Sequence, residues 1–289
     1  MLDRIFIEIS NICNLQCSFC PVVERDNKVM GPEDFEKVLK QAKPLAKQVC
    51  LHLMGEPLAH PNFVKMMEIC EENNVPVQIT TNGVVIANRK EVLLKSKVLR
   101  QINFSIQSYK DNFPNRDFYT YLRPILDFSR ELNEVSPETY VNYRLWNLGR
   151  NEQIMEENEE VFQILERFYD IEVNRRTQVE SIKSKRIWNR VYLHFDTHFD
   201  WPSWDLPNQG EIGRCHALKS HIGIHADGTV VPCCLDKECQ IPLGNAFEQD
   251  LAGILKSDRA IAMREGFDNN KRVEEFCKHC TYINRFQKS

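Results

Sequence analysis

Arg4-Ile-Phe-Ile-Glu-Ile9-Ser-Asn-Ile-Cys13-Asn-Leu-Gln-Cys17-Ser-Phe-Cys20 runs from an apolar, strand-like stretch straight into three cysteines spaced C-x3-C-x2-C. Three thiols this close converge on one soft metal centre, and an odd number cannot all pair as disulfides. Thiolates ordinarily ligate all four irons of a [4Fe–4S] cluster, so three ligands leave one iron open, and an open position is where chemistry takes place. Zinc calls for a fourth Cys or His, and this loop supplies none.

The rest of the composition narrows the class. A chain of 289 residues, 42% hydrophobic, is long enough for one large and one small domain around an ordinary core. Eleven cysteines accompany an N-terminal run, Met1-Leu-Asp-Arg-Ile-Phe-Ile, that lacks a basic segment followed by a long apolar one, and nothing is long and apolar enough to span a bilayer. The expectation is a soluble, cytoplasmic protein whose reduced cysteines bind metal, with no membrane role. A net charge of −4 gives no whole-molecule attraction to nucleic acid.

Strand-like and helix-like segments alternate through the first two-thirds. Strands are expected at 5–9, 48–53, 75–80, 101–106, 140–145 and 191–195, with helices at 32–43, 62–74, 88–97, 119–132 and 154–168 between them. Repeated β–α alternation means βαβ units and parallel pairing, and six strands fit an open, partial barrel better than a closed one of eight. The site is then expected at the C-terminal ends of the strands. Past about residue 200 the character changes. Trp201-Pro-Ser-Trp204, Pro207 and Gly210 read as a linker, 221–224 and 229–231 flank a hairpin turn at Ala226-Asp227-Gly228, and a helix at 251–256 continues through 260–264.

Cysteines crowd this last part. Cys215 and Cys233 form C-x12-G-x4-C around Gly228, and Cys277 and Cys280 form C-x2-C. Four sulfurs suit one tetrahedral site, either a structural zinc ribbon or a second iron–sulfur cluster. Cys234 and Cys239 exceed that need, while Cys50 and Cys70 lie in apolar patterns as core thiols.

With both cysteine sets in view, the chain resembles the radical S-adenosylmethionine (SAM) superfamily, in the subgroup with a SPASM/twitch auxiliary domain. Phe19 stands before the third cysteine as the aromatic of that superfamily's loop. Met54-Gly55-Glu56-Pro57 resembles its GGEP segment with Met replacing the first Gly, and Thr80-Thr81-Asn82-Gly83 resembles its TNG segment. The resemblance implies an α/β fold: a partial (β/α)6 barrel over residues 1–200 and a small cysteine-rich twitch/SPASM-like domain over 201–289. It implies a first [4Fe–4S] cluster with an open iron on Cys13, Cys17 and Cys20, and SAM contacts from Gly55, Glu56, Pro57, Thr81, Asn82, Ser105 and Arg144. It implies an auxiliary [4Fe–4S] cluster on Cys215, Cys233, Cys277 and Cys280. The longer SPASM pattern adds a middle C-x2-C-x5-C-x3-C that this chain lacks.

The implied activity is that of an oxidoreductase. An electron from a flavodoxin- or ferredoxin-type donor cleaves SAM to a 5′-deoxyadenosyl radical, which takes hydrogen from a small molecule or a peptide side chain, with net oxidation through the auxiliary cluster. The sequence identifies no catalytic side chain. His194, Asp196, His198 and Asp200 read as a solvated strand end. Arg175, Arg176, Lys183, Lys185, Arg186 and Arg190, in a stretch whose single acidic residue is Glu180, read as a solvated helix face. The other reading of that stretch is a phosphate-bearing nucleotide or RNA substrate with Trp188 stacking on it, which makes an RNA- or nucleotide-modifying enzyme the alternative. A non-catalytic iron–sulfur or zinc protein is a third class, which has no need of a SAM pocket.

Overall fold

The computed structural model describes residues 1–148, 152–175, 183–197 and 199–286. Arg176 and Glu180 of the basic stretch and His198 lie outside the described residues. The chain forms two compact units, one of Met1–Asn14, Pro21–Val77 and Phe199–Ser289, the other of Leu15–Cys20 and Gln78–His198.

The first unit begins with β1 (Arg4–Ile7), whose alternate residues Ile5 and Ile7 are buried. Helix α1 (Pro32–Ala42) follows. Pro32 presets the first turn, Glu33 and Asp34 face the positive helix end, and Phe35, Val38, Leu39 and Ala42 make one buried stripe. Then come β2 (Val49–Cys50) and α2 (Phe63–Glu72). The last segment of chain returns to this unit as β8 (His221–Ile224), β9 (Thr229–Val231) and β10 (Gly244–Asn245). The order within the unit is β10-β9-β8-β1-β2. β1 runs parallel to β2, with Phe6 opposite Cys50, and parallel to β8, with Ile7 opposite Ile224. β8 and β9 make the expected hairpin, and Gly228 sits in its turn at φ +85°.

Helices α7 (Leu251–Ile254), α8 (Asp258–Asp268) and α9 (Glu275–Lys278) complete the unit. The single helix expected across 251–264 is two helices. The Ser257 hydroxyl accepts from the Ala260 N–H and starts α8 as its N-cap, which ends α7 beforehand.

The second unit holds β3 (Val77–Thr81, all but its first residue), α3 (Ile86–Lys95), β4 (Leu99–Ser105), α4 (Gln107–Asn112), α5 (Phe118–Val135), β5 (Tyr140–Leu148) and α6 (Glu152–Tyr169). It closes with β6 (Ser184–Trp188) and β7 (Val191–Thr197), and its strand order is β3-β4-β5-β7-β6. β4–β5 and β5–β7 are parallel. Its core gathers Ile79, Phe104, Ile125, Phe128, Tyr143 and Phe195, all at most 1% exposed.

All six expected strands form, as β1, β2, β3, β4, β5 and β7, and the α/β class with a cysteine-rich C-terminal part is the one expected. The basic stretch is a correction. Residues 184–188 are not a helix face but a strand antiparallel to β7, with Lys185 opposite Leu193 and Arg186 opposite Tyr192. Asn189 turns the chain at φ 36°, a left-handed conformation that Asn tolerates better than most residues.

Candidate metal centres and cofactor site

In the second unit, the short segment 15–20 is clamped by α4. Asp111 accepts from the Ser18 N–H at 2.5 Å and from its hydroxyl at 2.7 Å, and Asn112 Oδ1 accepts from the Gln16 N–H at 2.8 Å. Asn112 Nδ2 donates to Cys17 Sγ at 3.2 Å. Cys20 N–H donates to the Cys17 carbonyl at 3.1 Å, which folds the C-x2-C segment into a turn. A hydrogen bond from Cys20 holds the Cys17 thiol below its ordinary range against its burial, and Asn112 and Ser108 add to this against Asp111. Thiolate character is what metal ligation needs. Cys13, in the first unit, and Cys20 are both exposed.

The strand ends of the same unit carry four of the residues expected to contact SAM. Thr81 accepts from the Gly83 N–H at 2.9 Å and Asn82 Oδ1 from the Val84 N–H at 3.0 Å, so both side chains brace the turn after β3. Tyr121 donates its hydroxyl to the Asn82 carbonyl at 2.6 Å. Ser105 on β4, Arg144 on β5 and His194 on β7 stand opposite one another in register, forming one row across three parallel strands. The Arg144 guanidinium lies over the Trp146 ring at 4.4 Å, and Trp146 Nε1 donates to His194 Nδ1 at 3.1 Å. Burial, and then the Arg144 charge, push the His194 imidazole down to about 4, so it is a neutral acceptor.

The remaining expected contacts lie in the first unit. Gly55 has φ +74°, and a Cβ there would stand 2.3 Å from the Ser10 carbonyl oxygen, so only glycine lets the two backbones approach this closely. Glu56 N–H donates to the Ile12 carbonyl at 3.0 Å, and its buried carboxylate accepts from the Leu58 N–H at 2.9 Å, capping the turn that Pro57 begins.

The same unit contains a buried carboxylate that the sequence reading missed. Glu8 accepts from Arg25 Nη2 at 3.1 Å and from the N–H groups of Met54 and Ala226 at 3.2 Å, and His225 Nδ1 stands 3.3 Å away. Burial alone would raise its carboxyl; His225, Arg25 and Ala226 outweigh burial and hold it below the usual range. A glutamate between two isoleucines at the end of a core strand was the signal that something must neutralise it.

Cys215, Cys233, Cys277 and Cys280 come together in this unit. Charge on Cys215, Cys233 and Cys280 bears on Cys277, and charge on Cys233 and Cys280 bears on Cys215. The Ala217 and Leu235 N–H groups each donate to the sulfur two residues earlier, at 3.4 Å. Burial pushes Cys215 up to about 12 and Cys280 up to about 11, and raises Cys277 well above its ordinary range. Four partly buried thiols fit a metal centre whose cationic charge would remove their protons on binding. His221 and Cys234 also stand close to Cys233, with the three donor atoms within 4.8 Å of one another. Cys50 and Cys70 are fully buried, as expected of core thiols.

Of the basic stretch, Arg175 is held by Glu159 and Glu166 on α6, and Arg190 by Glu138 at 2.5 Å. Trp188 stacks on Tyr169 at 5.1 Å. Lys183, Lys185 and Arg186 are exposed.

Comparison with known proteins agrees with this arrangement. The Radical SAM superfamily profile matches residues 7–143, and the profile of SPASM, an iron–sulfur cluster-binding domain, matches residues 215–281. A GTP 3′,8-cyclase from Desulforamulus reducens is 29% identical over 114 residues, covering 37% of this chain and 35% of that protein. A tungsten-containing aldehyde ferredoxin oxidoreductase cofactor-modifying protein from Pyrococcus furiosus is 30% identical over 30% of this chain and 26% of its own length. Across the curated relatives it matches, the chain spans between about a quarter and three-fifths of their length. Among solved structures, Streptococcus suis SuiB bound to precursor peptide SuiA aligns with all of this chain and 74% of its own, at TM-score 0.63 and 20% identity. BtrN in complex with AdoMet and 2-DOIA aligns over 97% of this chain and 93% of its own, at TM-score 0.55 and 16% identity.

Proposed function

Because the chain belongs to the radical SAM superfamily and carries a C-terminal SPASM domain, we propose that it is an oxidoreductase that removes hydrogen from a small molecule or a peptide side chain and completes a net oxidation. The observation that carries the net oxidation is the partly buried quartet of Cys215, Cys233, Cys277 and Cys280, separate in sequence from the Cys13/Cys17/Cys20 loop. A cluster on Cys13, Cys17 and Cys20 would supply the electron for cleaving SAM to methionine and a hydrogen-abstracting 5′-deoxyadenosyl group, and one on Cys215, Cys233, Cys277 and Cys280 would accept the electron left on the substrate.

The chain's residues hold and orient. Cys13, Cys17 and Cys20 are assigned to the first cluster, and Asp111 and Asn112 fix the loop that bears two of them. Glu56, in a segment that Gly55 alone permits, is assigned to the SAM amino group. Thr81 and Asn82 brace the turn after β3 for the same cofactor. In the row Ser105–Arg144–His194, Arg144 is assigned to the SAM carboxylate or ribose, with Trp146 stacked against it. A one-electron donor of flavodoxin or ferredoxin type would supply the reducing equivalents. The peptide named with SuiB and the small molecule named with BtrN support this substrate class.

A nucleotide substrate is the second reading, favoured by the GTP 3′,8-cyclase matches and by the exposed Lys183, Lys185 and Arg186. Substrate binding that weakens steeply with salt would select it.

The test is anaerobic. The reconstituted chain given SAM and dithionite is expected to form 5′-deoxyadenosine and to contain about eight irons. The Cys13→Ala/Cys17→Ala/Cys20→Ala variant is expected to lose about half of that iron and all SAM cleavage. Cleavage surviving in that variant overturns the first assignment. About four irons with stoichiometric zinc overturns the second, and net oxidation with it.

A further inference from the structure

Arg272 is 1% exposed, and its Nε and Nη1 have no hydrogen-bond partner among the described residues. Burying a guanidinium with two donors unmet is costly unless an anion satisfies it. The position is nonetheless built for it. A Cβ on Gly213 would stand 2.6 Å from Arg272 Nε and 2.9 Å from Nη2, so a glycine there leaves room for the guanidinium to lie against the backbone. Arg272 N–H donates to the Glu211 carbonyl at 2.7 Å, and Gly213 N–H donates to the Asn270 carbonyl at 3.0 Å. This short antiparallel bridge lies two residues before Cys215 and five before Cys277. The segments that deliver the two cysteine pairs therefore also deliver the arginine. Burial pushes the guanidinium down, and the sulfurs of Cys280, Cys277 and Cys215 push it back up. Arginine stays charged in proteins, so a cation is fixed beside the quartet.

We infer that Arg272 is the counter-charge and N–H donor of the metal–sulfur group on Cys215, Cys233, Cys277 and Cys280, and that it raises that group's reduction potential; this rests on the auxiliary-cluster reading above. Four thiolates around a [4Fe–4S]2+ core already carry excess negative charge. Adding one electron from a low-potential donor gives [4Fe–4S]+ and deepens that charge by one, with no bond broken and no proton moved. A fixed cation favours the reduced form, so potentials follow local charge and hydrogen bonding to sulfur. Arg272 acts through the cluster and is a positioning residue.

The experiment is an EPR-monitored redox titration of the full-length chain in the Cys13→Ala/Cys17→Ala/Cys20→Ala background, where one cluster remains. Arg272→Gln and Arg272→Met are expected to lower the reduced-to-oxidised ratio at a fixed poise by about tenfold, a potential about 59 mV more negative for one electron. Arg272→Lys, which keeps the charge, is expected to stay close to the parent. Selective loss of iron from the Gln and Met variants, with Lys retaining it, also supports the inference. Potentials of Gln and Met matching the parent overturn it, as does equal loss of iron from all three, which marks a packing role. Zinc in place of the second cluster in the unmutated chain overturns the underlying reading. Two clusters with unshifted variants overturn this inference alone.

Discussion

At the scale of single residues, two side chains give separable expectations. Glu56 both caps Leu58 and is assigned to SAM. Glu56→Gln keeps an acceptor for the cap and removes the charge. SAM affinity measured by calorimetry is expected to fall by about tenfold or more, the loss of one charge-assisted hydrogen bond, while iron content and Tm hold. A parallel fall in Tm would assign Glu56 to folding instead. His194 is held neutral, with its pKa pushed down to about 4, whereas the unfolded chain titrates near 6.5. The folded state therefore binds fewer protons over that interval. Its contribution to stability is full above about pH 6.5 and is lost as the pH falls toward 4. His194→Gln should flatten the dependence of Tm on pH between 4 and 6.5, and an unchanged slope would show that other groups set it. The cysteines were legible in the sequence because spacing alone identifies them. Asn112 was not, because nothing local marks a polar residue that will meet a sulfur supplied from a distant stretch of chain.

At the scale of elements, patterns of period two and near 3.6 located the six strands and five helices of the alternating region, since each buries one face. What failed had one tertiary cause and one local cause. The strand at 184–188 has exposed Lys185 and Arg186 and takes its conformation from pairing with β7, not from its own apolar pattern. The helix break at Ser257 turns on a single hydroxyl finding the Ala260 N–H. The β8–β9 hairpin was legible because Gly228 marks its turn, and it sets the approach of Cys233 to Cys215. In Gly228→Ala a Cβ would meet Asn245 Oδ1 at 2.5 Å and Phe247 at 2.7 Å, on a backbone with φ +85°. The expected cost is about 1–3 kcal/mol, read as a lower denaturant midpoint, together with loss of iron from the C-terminal site before the N-terminal one. Iron lost equally from both would show that the hairpin does not govern the second site.

At the scale of the whole molecule, alternation of strands and helices made the class readable, but the membership of the first unit was not. No sequence pattern announces that residues 221–224 will lie beside residues 4–7, because strand partners separated by so much chain are chosen by the completed core. That pairing makes the C-terminal part integral to the first unit. A fragment of residues 1–200 is accordingly expected to be poorly soluble and to elute as aggregate in gel filtration. A monomeric, cooperatively melting fragment would show that β1 does not need β8. The same pairing has a temporal side. During synthesis β1 leaves the ribosome roughly 200 residues ahead of its neighbour, an interval on the order of ten to forty seconds at ~5–20 residues per second. Through that interval one edge of a core strand waits unpaired, a template open to other chains until β8 arrives to close it.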